Sequence, residues 1–131
     1  MHKIIINKEP ISCPRPRVTR FGVYYPKQYQ DYKDYLKEYL ISLNLEKLED
    51  KALYLKICFN IKIPNSFSNK KKKELENQYV IKKPDIDNYL KSVMDGMNSI
   101  IYKDDNQIAS INIIKKYVIE NPNTEIEIGY L

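Results

Sequence analysis

Residues 84–97 read Pro-Asp-Ile-Asp-Asn-Tyr-Leu-Lys-Ser-Val-Met-Asp-Gly-Met, and their periodicity predicts an amphipathic helix that opens at Pro84-Asp85. At about 100° per residue, the apolar side chains form one core-facing stripe: Ile86, Leu90, Val93, Met94 and Met97. A polar line borders that stripe and contains Asp87, Lys91, Asp95 and Asn98. Because residues at the edge of a buried face look into a cleft, we expect this line to face a bound substrate.

Strand and helix patterns also occur along the rest of the chain. The predicted strands cover residues 3–7, 53–63, 107–119 and 125–131. Two further helices are predicted, over residues 27–43 and 70–76. The order, roughly βαβ(α)αββ, predicts an α/β (α+β) fold in which helices pack on a mixed β-sheet. We expect a single domain over residues 1–131, because 131 residues suffice for one core.

The charge balance favours a polyanionic partner. Lys and Arg outnumber Asp and Glu by 22 to 17, which gives a formal net charge of +5. Nucleic acid fits this balance better than a membrane surface does. No apolar run reaches about 18 residues, and Met1–Asn7 is too short for a signal-peptide core of roughly 7 to 15 residues. We therefore expect an intracellular, cytoplasmic protein with no membrane segment.

Cysteine and histidine offer little material for a metal site. Cys13 and Cys58 form no CxxC pair, and Cys58 lies in an apolar strand pattern where a thiol acts as a small hydrophobe. His2 is the single histidine. Any metal ion must therefore be held by oxygen ligands.

Two acidic pairs stand out in this basic chain: Asp85 and Asp87, then Asp104 and Asp105. Helix capping explains an isolated Asp-x-Asp, and turn formation explains adjacent aspartates. The alternative is a Mg²⁺ site in which Asp85, Asp87 and Asp105 act with a phosphate oxygen. We choose Asp105 over Asp104 because adjacent residues of an extended segment point in opposite directions. Lys91 would stabilise transition-state charge, and its alternative role is an i,i+4 salt bridge.

Basic residues gather in three segments that we predict to contact DNA. All three arginines, Arg15, Arg17 and Arg20, fall in a proline-rich connection, and Arg favours bidentate phosphate binding. Lys71 and Lys72 belong to a run of four lysines, and Lys82 and Lys83 precede the first acidic pair. The alternative for each segment is a solvated surface with incidental charge.

Three ordered motifs closely resemble the core signature of the RusA family of Holliday-junction resolvases. They are Lys83-Pro84-Asp85-Ile86-Asp87-Asn88-Tyr89-Leu90-Lys91, Asp95-Gly96-Met97-Asn98 and Tyr102-Lys103-Asp104-Asp105-Asn106-Gln107-Ile108. Pro14-Arg15-Pro16-Arg17 and the segment from Pro64 through the lysines resemble phage and prophage members. The resemblance covers most of the chain. Phe67 departs from it, since related sequences often have Trp, and so does the tyrosine-rich helix at 27–43, whose spacing is typical of core.

The resemblance implies a small homodimer that makes paired symmetric nicks in four-way DNA junctions during recombination and repair, using Mg²⁺ or Mn²⁺. By motif, Asp85, Asp87 and Asp105 match the metal-binding carboxylates and Lys91 matches the catalytic lysine. Asp95 and Asp104 match acidic positions of a supporting role. The alternatives are a nuclease for other branched DNA, such as flaps and forks, and a non-catalytic nucleic-acid-binding module.

Overall fold

The computed structural model describes residues 1–131, which form six strands and three α-helices. The strands are β1 (His2–Ile6), β2 (Arg17–Thr19), β3 (Gly22–Tyr24), β4 (Leu53–Lys62), β5 (Ile108–Val118) and β6 (Asn123–Tyr130). The helices are α1 (Lys27–Ser42), α2 (Asn69–Leu75) and α3 (Ile86–Met97), and one 3-10 turn covers Asp105–Gln107. The elements agree with the predicted ones except between β1 and α1.

Four of the strands form one mixed sheet in the order β1-β6-β4-β5. The last strand, β6, pairs antiparallel with β1 on one side and with β4 on the other. β4 runs parallel to β5, so the chain between them must cross over the sheet. That crossover contains α2 and α3. The prediction of helices packed on a mixed sheet in one small domain is confirmed.

Strand alternation places the core on one face of this sheet. In β4 the inward residues Leu53, Leu55, Ile57 and Phe59 are buried, whereas Lys56 between them is exposed. Helices α1 and α3 cover the inward face, and together with the strands they build a core cluster of 17 buried residues. The opposite face of the sheet has no helix over it and contains Lys3, Lys56, Glu125 and Glu127.

Helices α1 and α3 pack closely, and this contact sets the orientation of α3. A Cβ on Gly96 would lie only 3.0 Å from Leu36 Cδ1, so a side chain there would push the helices apart. As a result Tyr89, Ser92 and Gly96 are buried beside the predicted core residues Val93 and Met97. Of the other predicted members, Leu90 and Met94 are half-buried and pack against the edge of the core, whereas Ile86 does not belong to it and lines a surface cleft.

The tyrosines of α1 belong to the core, as their spacing predicted. Tyr29 and Tyr32 are buried with Leu36 and Leu40 along one side of the helix. A base-stacking surface on this side of α1 is thereby excluded. None of the helices has the length and apolar composition needed to cross a membrane.

The outer edge of β5 is partly covered by the chain that follows α2. Main-chain hydrogen bonds join Asn77, Gln78 and Val80 to Tyr117 and Lys115 at 2.9 to 3.0 Å. An open strand edge is a template for unwanted pairing, and this short segment occupies part of it. It also brings the chain back to the sheet directly before the first acidic motif.

The proline-rich connection contains a feature that the sequence analysis missed. Strands β2 and β3 form a separate antiparallel hairpin in which Arg17 pairs with Tyr24 and Val18 with Val23. Each strand has only three residues, too few for an alternation pattern to be recognised. Every residue of both strands is exposed, so the hairpin projects from the domain.

Candidate active site

The carboxylates of Asp85 and Asp87 form no hydrogen bond and no ion pair within the chain. Asp85 occupies the N-cap position of α3 with extended backbone angles, φ −68° and ψ 149°, yet its side chain caps no amide. The capping interpretation of Asp85 is therefore wrong. Asp87 lies in the first turn of α3, where the helix dipole favours a negative charge. Both side chains are exposed and available to an external ligand.

Contacts from two other parts of the chain hold this motif in place. The Lys115 ammonium of β5 donates hydrogen bonds to the carbonyl oxygens of Lys82 at 2.7 Å and Pro84 at 2.8 Å. The backbone amide of Cys13 donates to the carbonyl oxygen of Asn88 at 2.9 Å. The start of α3 is thus fixed both to the sheet and to the N-terminal connection.

A cleft of about 420 Å³ lies beside Asp85, between the chain after α2 and strand β5. Its walls are mainly apolar and include Tyr79, Ile81, Ile86 and Ile113. A concavity of about 370 Å³ on the open sheet face contains none of the acidic motif residues. The cleft at Asp85 contains none of Asp87, Lys91, Asp95 and Asn98, so the prediction that this polar line faces a substrate stays a prediction.

The second acidic pair divides into one structural and one accessible residue. Asp104 caps the 3-10 turn, because its side chain accepts a hydrogen bond from the Asn106 amide at 3.3 Å. Gln107 completes the capping box by accepting from the Asp104 amide at 3.2 Å. The turn interpretation of this pair is confirmed, since Asp105 begins a 3-10 turn, and only Asp104 keeps extended backbone angles, φ −152° and ψ 145°. Capping, rather than strand alternation, separates the two residues.

Asp105 is oriented by a buried tyrosine. The Tyr102 hydroxyl donates to Asp105 Oδ1 at 2.5 Å, and Tyr102 itself is completely buried. Partial burial raises the pKa of Asp105, the negative charges of Asp95 and Asp104 raise it further, and the Tyr102 bond and the Lys91 charge lower it. The charges of Asp95, Asp104 and Lys91 thus act on Asp105, whereas no such influence comes from Asp85 or Asp87. Because it makes one hydrogen bond through Oδ1, Asp105 keeps Oδ2 for another ligand.

Asp95 is held in the same way by a tyrosine of α1. The Tyr29 hydroxyl donates to Asp95 Oδ2 at 2.8 Å, and Lys91 Nζ lies 3.8 Å from Asp95 Oδ1. Burial and the adjacent carboxylate raise the pKa of Tyr29, so its hydroxyl remains a donor at neutral pH. The i,i+4 salt bridge considered for Lys91 is present, with Asp95 as its partner. The Lys91 side chain is still 55% exposed, so it can reach a bound phosphate.

Sequence reasoning missed the residues that support this site, namely Tyr29, Tyr102 and Lys115. Tyr102 stands two residues before the acidic pair, and that proximity is a usable signal. Tyr29 has none, because its hydroxyl meets Asp95 across two helices that lie far apart in sequence. Only the packing of α1 on α3 brings them together.

The acidic residues lie along one side of α3 and the adjoining turn. Asp87, Lys91 and Asp95 follow one another at i, i+4 and i+8, so they span about 12 Å along the helix. No three acidic or other ligating side chains converge into a group that could hold a metal ion alone. Mg²⁺ needs no such cage, since it commonly binds one or two carboxylates, several waters and substrate phosphates. The oxygen-only donor set therefore fits a hard cation whose remaining ligands come from outside the protein.

The predicted DNA contacts lie on three separate parts of the surface. Arg15, Arg17 and Arg20 belong to the projecting hairpin and its approach, and all are exposed. Lys71 and Lys72 lie on α2, which begins at Ser68, whose side chain accepts from the Lys71 amide at 3.2 Å. Lys82 and Lys83 are exposed directly before Asp85. Their role in DNA binding stays a prediction.

Comparison with known proteins agrees with this arrangement. The model of a family described as Endodeoxyribonuclease RusA matches residues 7–129. A Bacillus subtilis (strain 168) protein named "Uncharacterized protein YqaN" is 33% identical over 135 residues, covering 96% of this chain and 94% of that protein. The match includes α3, the 3-10 turn and the hairpin. This chain therefore belongs to the RusA family of endodeoxyribonucleases.

Proposed function

We propose that this chain is a Mg²⁺-dependent, structure-selective endodeoxyribonuclease that makes paired symmetric nicks in four-way DNA junctions. The observation that supports this most directly is the unpaired state of Asp85 and Asp87 at the accessible start of α3. The net charge of +5 favours a polyanionic partner. Free carboxylates would repel that partner unless a cation lay between the carboxylates and the polyanion. Family membership supplies the reaction class.

We assign metal binding to Asp85, Asp87 and Asp105 because they match the family motif. The three carboxylates do not form one cage in this structure, so water and the scissile phosphate would supply the remaining ligands. When bound, Mg²⁺ (or Mn²⁺ in its place) polarises the phosphate, lowers the pKa of water and neutralises the leaving oxygen. Tyr102 keeps Asp105 in one orientation through its hydroxyl. Tyr29 does the same for Asp95, which supports the site from the side of α1.

Lys91 is the residue we assign to electrostatic stabilisation of the phosphate. Lys91 lies one helical turn after Asp87, its ammonium is 3.8 Å from Asp95 Oδ1, and its charge lowers the pKa of Asp105. An exposed ammonium near the scissile group offsets the extra negative charge of the transition state. The contact with Asp95 limits where that charge can move.

Two nicks related by symmetry require two active sites, and a homodimer with a two-fold axis is the simplest way to provide them. The half-buried apolar side chains of α3 are a candidate for that contact, although Leu90 and Met94 also pack against the core. The DNA arms would be held by the exposed basic residues of three segments: Arg15, Arg17, Arg20, Lys71, Lys72, Lys82 and Lys83. We place this activity in the cytoplasm of a bacterial cell, in recombination and repair of bacterial or phage DNA.

The test is a cleavage assay on labelled four-way, three-way, flap and linear DNA, with Mg²⁺, with Mn²⁺ and with neither. We expect divalent-dependent cutting of the four-way junction at two symmetric positions. Equal cutting of linear duplex would overturn the junction assignment, and preferred cutting of flaps or forks would replace it. If no DNA is cleaved with either metal ion, the remaining interpretation is a non-catalytic nucleic-acid-binding module.

The dimer is tested separately by light scattering on a sizing column. A mass of twice 15.6 kDa is expected, and a monomer at cleavage-active concentration would overturn the proposed symmetry. Junctions that are nicked once and religate poorly would also contradict it. Neither outcome alters the assignment of the acidic residues to catalysis.

A further inference from the structure

The β2–β3 hairpin is exposed along its whole length. Val18 is 78% exposed, Phe21 87% and Val23 63%. Val18 and Val23 are cross-strand partners, so one face of the ribbon and its tip both present apolar side chains to solvent. An isolated two-stranded hairpin is marginally stable in water. Exposure of this kind on a small hairpin indicates a binding surface rather than a packing element.

The tip of the hairpin presents one aromatic ring. Arg20 and Phe21 form the two-residue turn, and Gly22 closes it with φ +127°, an angle that other residues rarely adopt. Thr19 Oγ1 accepts from the Phe21 amide at 3.2 Å and donates to the Gly22 carbonyl oxygen at 3.2 Å. The Arg20 guanidinium lies 4.9 Å from the ring centre of Phe21. The turn is thus fixed while the ring remains open.

The positive charge of the segment around Phe21 favours an anionic partner. Residues 10–30 contain all three arginines of the chain and no Asp or Glu. A polyanion that also offers a flat apolar surface matches both features, and nucleic acid bases on a phosphate backbone are such a surface. A fully paired duplex hides its base faces in the stack. A branch point exposes them, because stacking is interrupted where the arms meet.

We propose that Phe21 stacks on the bases at the branch point of the DNA while Arg17 and Arg20 contact the adjoining phosphates. This inference rests on the proposed function and deepens it, since it gives the hairpin the task of recognising junction structure. Side chains at the tip of a ribbon can enter an opening that a flat surface cannot reach. Apolar wedges that unstack a base step are an established way to bind distorted DNA.

The experiment measures binding of the full-length protein to a four-way junction and to a linear duplex in EDTA, which prevents cleavage. The junction contains 2-aminopurine at the branch point, whose fluorescence reports base stacking. Phe21→Ala removes the ring, Phe21→Trp preserves an aromatic face, and Arg20→Ala removes charge. Ile41→Ala is the matched control, because Ile41 is another exposed apolar side chain, 63% exposed on α1.

For Phe21→Ala we expect junction binding to weaken about tenfold, with duplex binding unchanged, because one base–aromatic stack is lost. The fluorescence change at the branch point should disappear, and Phe21→Trp should restore it. Arg20→Ala should weaken binding to both DNAs and reduce the salt dependence. Ile41→Ala should have no effect, and all variants should keep the wild-type circular dichroism spectrum and melting temperature.

Equal junction binding and an equal fluorescence change for wild type and Phe21→Ala would overturn the stacking proposal. The proposed function would stand in that case if the wild type still cuts junctions. Absence of any junction preference in the wild type would remove both. Binding of the wild type to anionic phospholipid vesicles, lost in Phe21→Ala while junction binding is kept, would assign the tip to a membrane surface instead.

Discussion

The acidic side of α3 and the β2–β3 hairpin differ most in how they are attached to the protein. Lys115, Cys13, Tyr29 and Tyr102 each fix the acidic region to another element through hydrogen bonds. The side-chain bonds of the hairpin, by contrast, remain within its own turn, between Thr19 and the two residues that follow Arg20. One region is held in place and the other is free to adapt.

The difference in attachment matches the different physical requirements of catalysis and of DNA recognition. Chemistry needs reacting groups held within a fraction of an ångström, and rigid supporting contacts provide that. Recognition of branched DNA, whose arms move, tolerates a mobile element that orders on contact. Changes in the acidic region should therefore lower the cleavage rate at saturating DNA, whereas changes in the hairpin should alter affinity.

The largest effect is expected for Asp85→Asn. Loss of one metal-binding charge should lower the cleavage rate by at least about 100-fold, because metal catalysis contributes several kcal/mol. Junction affinity should be kept or improved, since a negative charge near the phosphates is removed. Single-turnover cleavage and gel-shift titration measure the two quantities. A parallel loss of affinity would break the division between the regions.

Lys91→Ala should lower the single-turnover rate by roughly 100-fold through loss of transition-state stabilisation. Lys91→Arg retains the charge and should recover part of the rate. The control is Lys56→Ala, because Lys56 is exposed on the open face of the sheet, on the side opposite α1 and α3. If Lys91→Ala changes only the affinity, the lysine is a DNA contact and does not act on the scissile phosphate.

Tyr102→Phe should weaken metal binding by about 10- to 100-fold, because Asp105 loses the hydroxyl that orients it. Calorimetric titration with Mn²⁺ measures the metal affinity directly. The titration is done in the presence of a non-cleavable phosphorothioate junction, and every protein tested retains Asp85. Tyr39→Phe is the matched control, because it removes a hydroxyl that bonds only to the Ile5 carbonyl oxygen. Equal metal affinities in the two variants would show that Tyr102 supports the fold alone.

The smallest effect on catalysis is expected for Arg15→Ala combined with Arg17→Ala. Junction affinity should fall, and the slope of log affinity against log salt should decrease by about two, one for each lost phosphate contact. The rate at saturating DNA should stay at the wild-type value. An unchanged salt slope would show that these arginines are solvated and do not contact phosphates. A lower cleavage rate at saturating DNA would show that the hairpin contributes to catalysis.

The sequence predicted most elements because their patterns are local. The period of α1, the apolar runs of β4 and β5 and the Ser68 cap of α2 each depend on residues close together in the chain. The buried side of α3 could not be read in the same way. Its orientation depends on the contact of Gly96 with Leu36 of α1, and this contact buries Ser92 and Gly96, which a stripe drawn from hydrophobicity alone left out.

In the candidate site, too, the features that depend on local sequence were predicted and those that depend on tertiary packing were missed. Its acidic residues and Lys91 were found from spacing and resemblance, and their roles stay predictions. The tyrosines that orient Asp95 and Asp105 were missed, because an aromatic residue in a core pattern gives no sign of where its hydroxyl points. The short hairpin was missed because its six strand residues form no periodic signal.

The position of β6 inside the sheet has a consequence for the synthesis of this protein. β6 follows every other strand in the chain, yet it is the only partner of β1 and one of two partners of β4. While the ribosome has released only residues up to β5, the sheet lacks its inner strand and the core lacks Ile126 and Ile128. The acidic side of α3 then rests on an unfinished support. The core on which α3 packs is therefore completed only after the last strand has been synthesised.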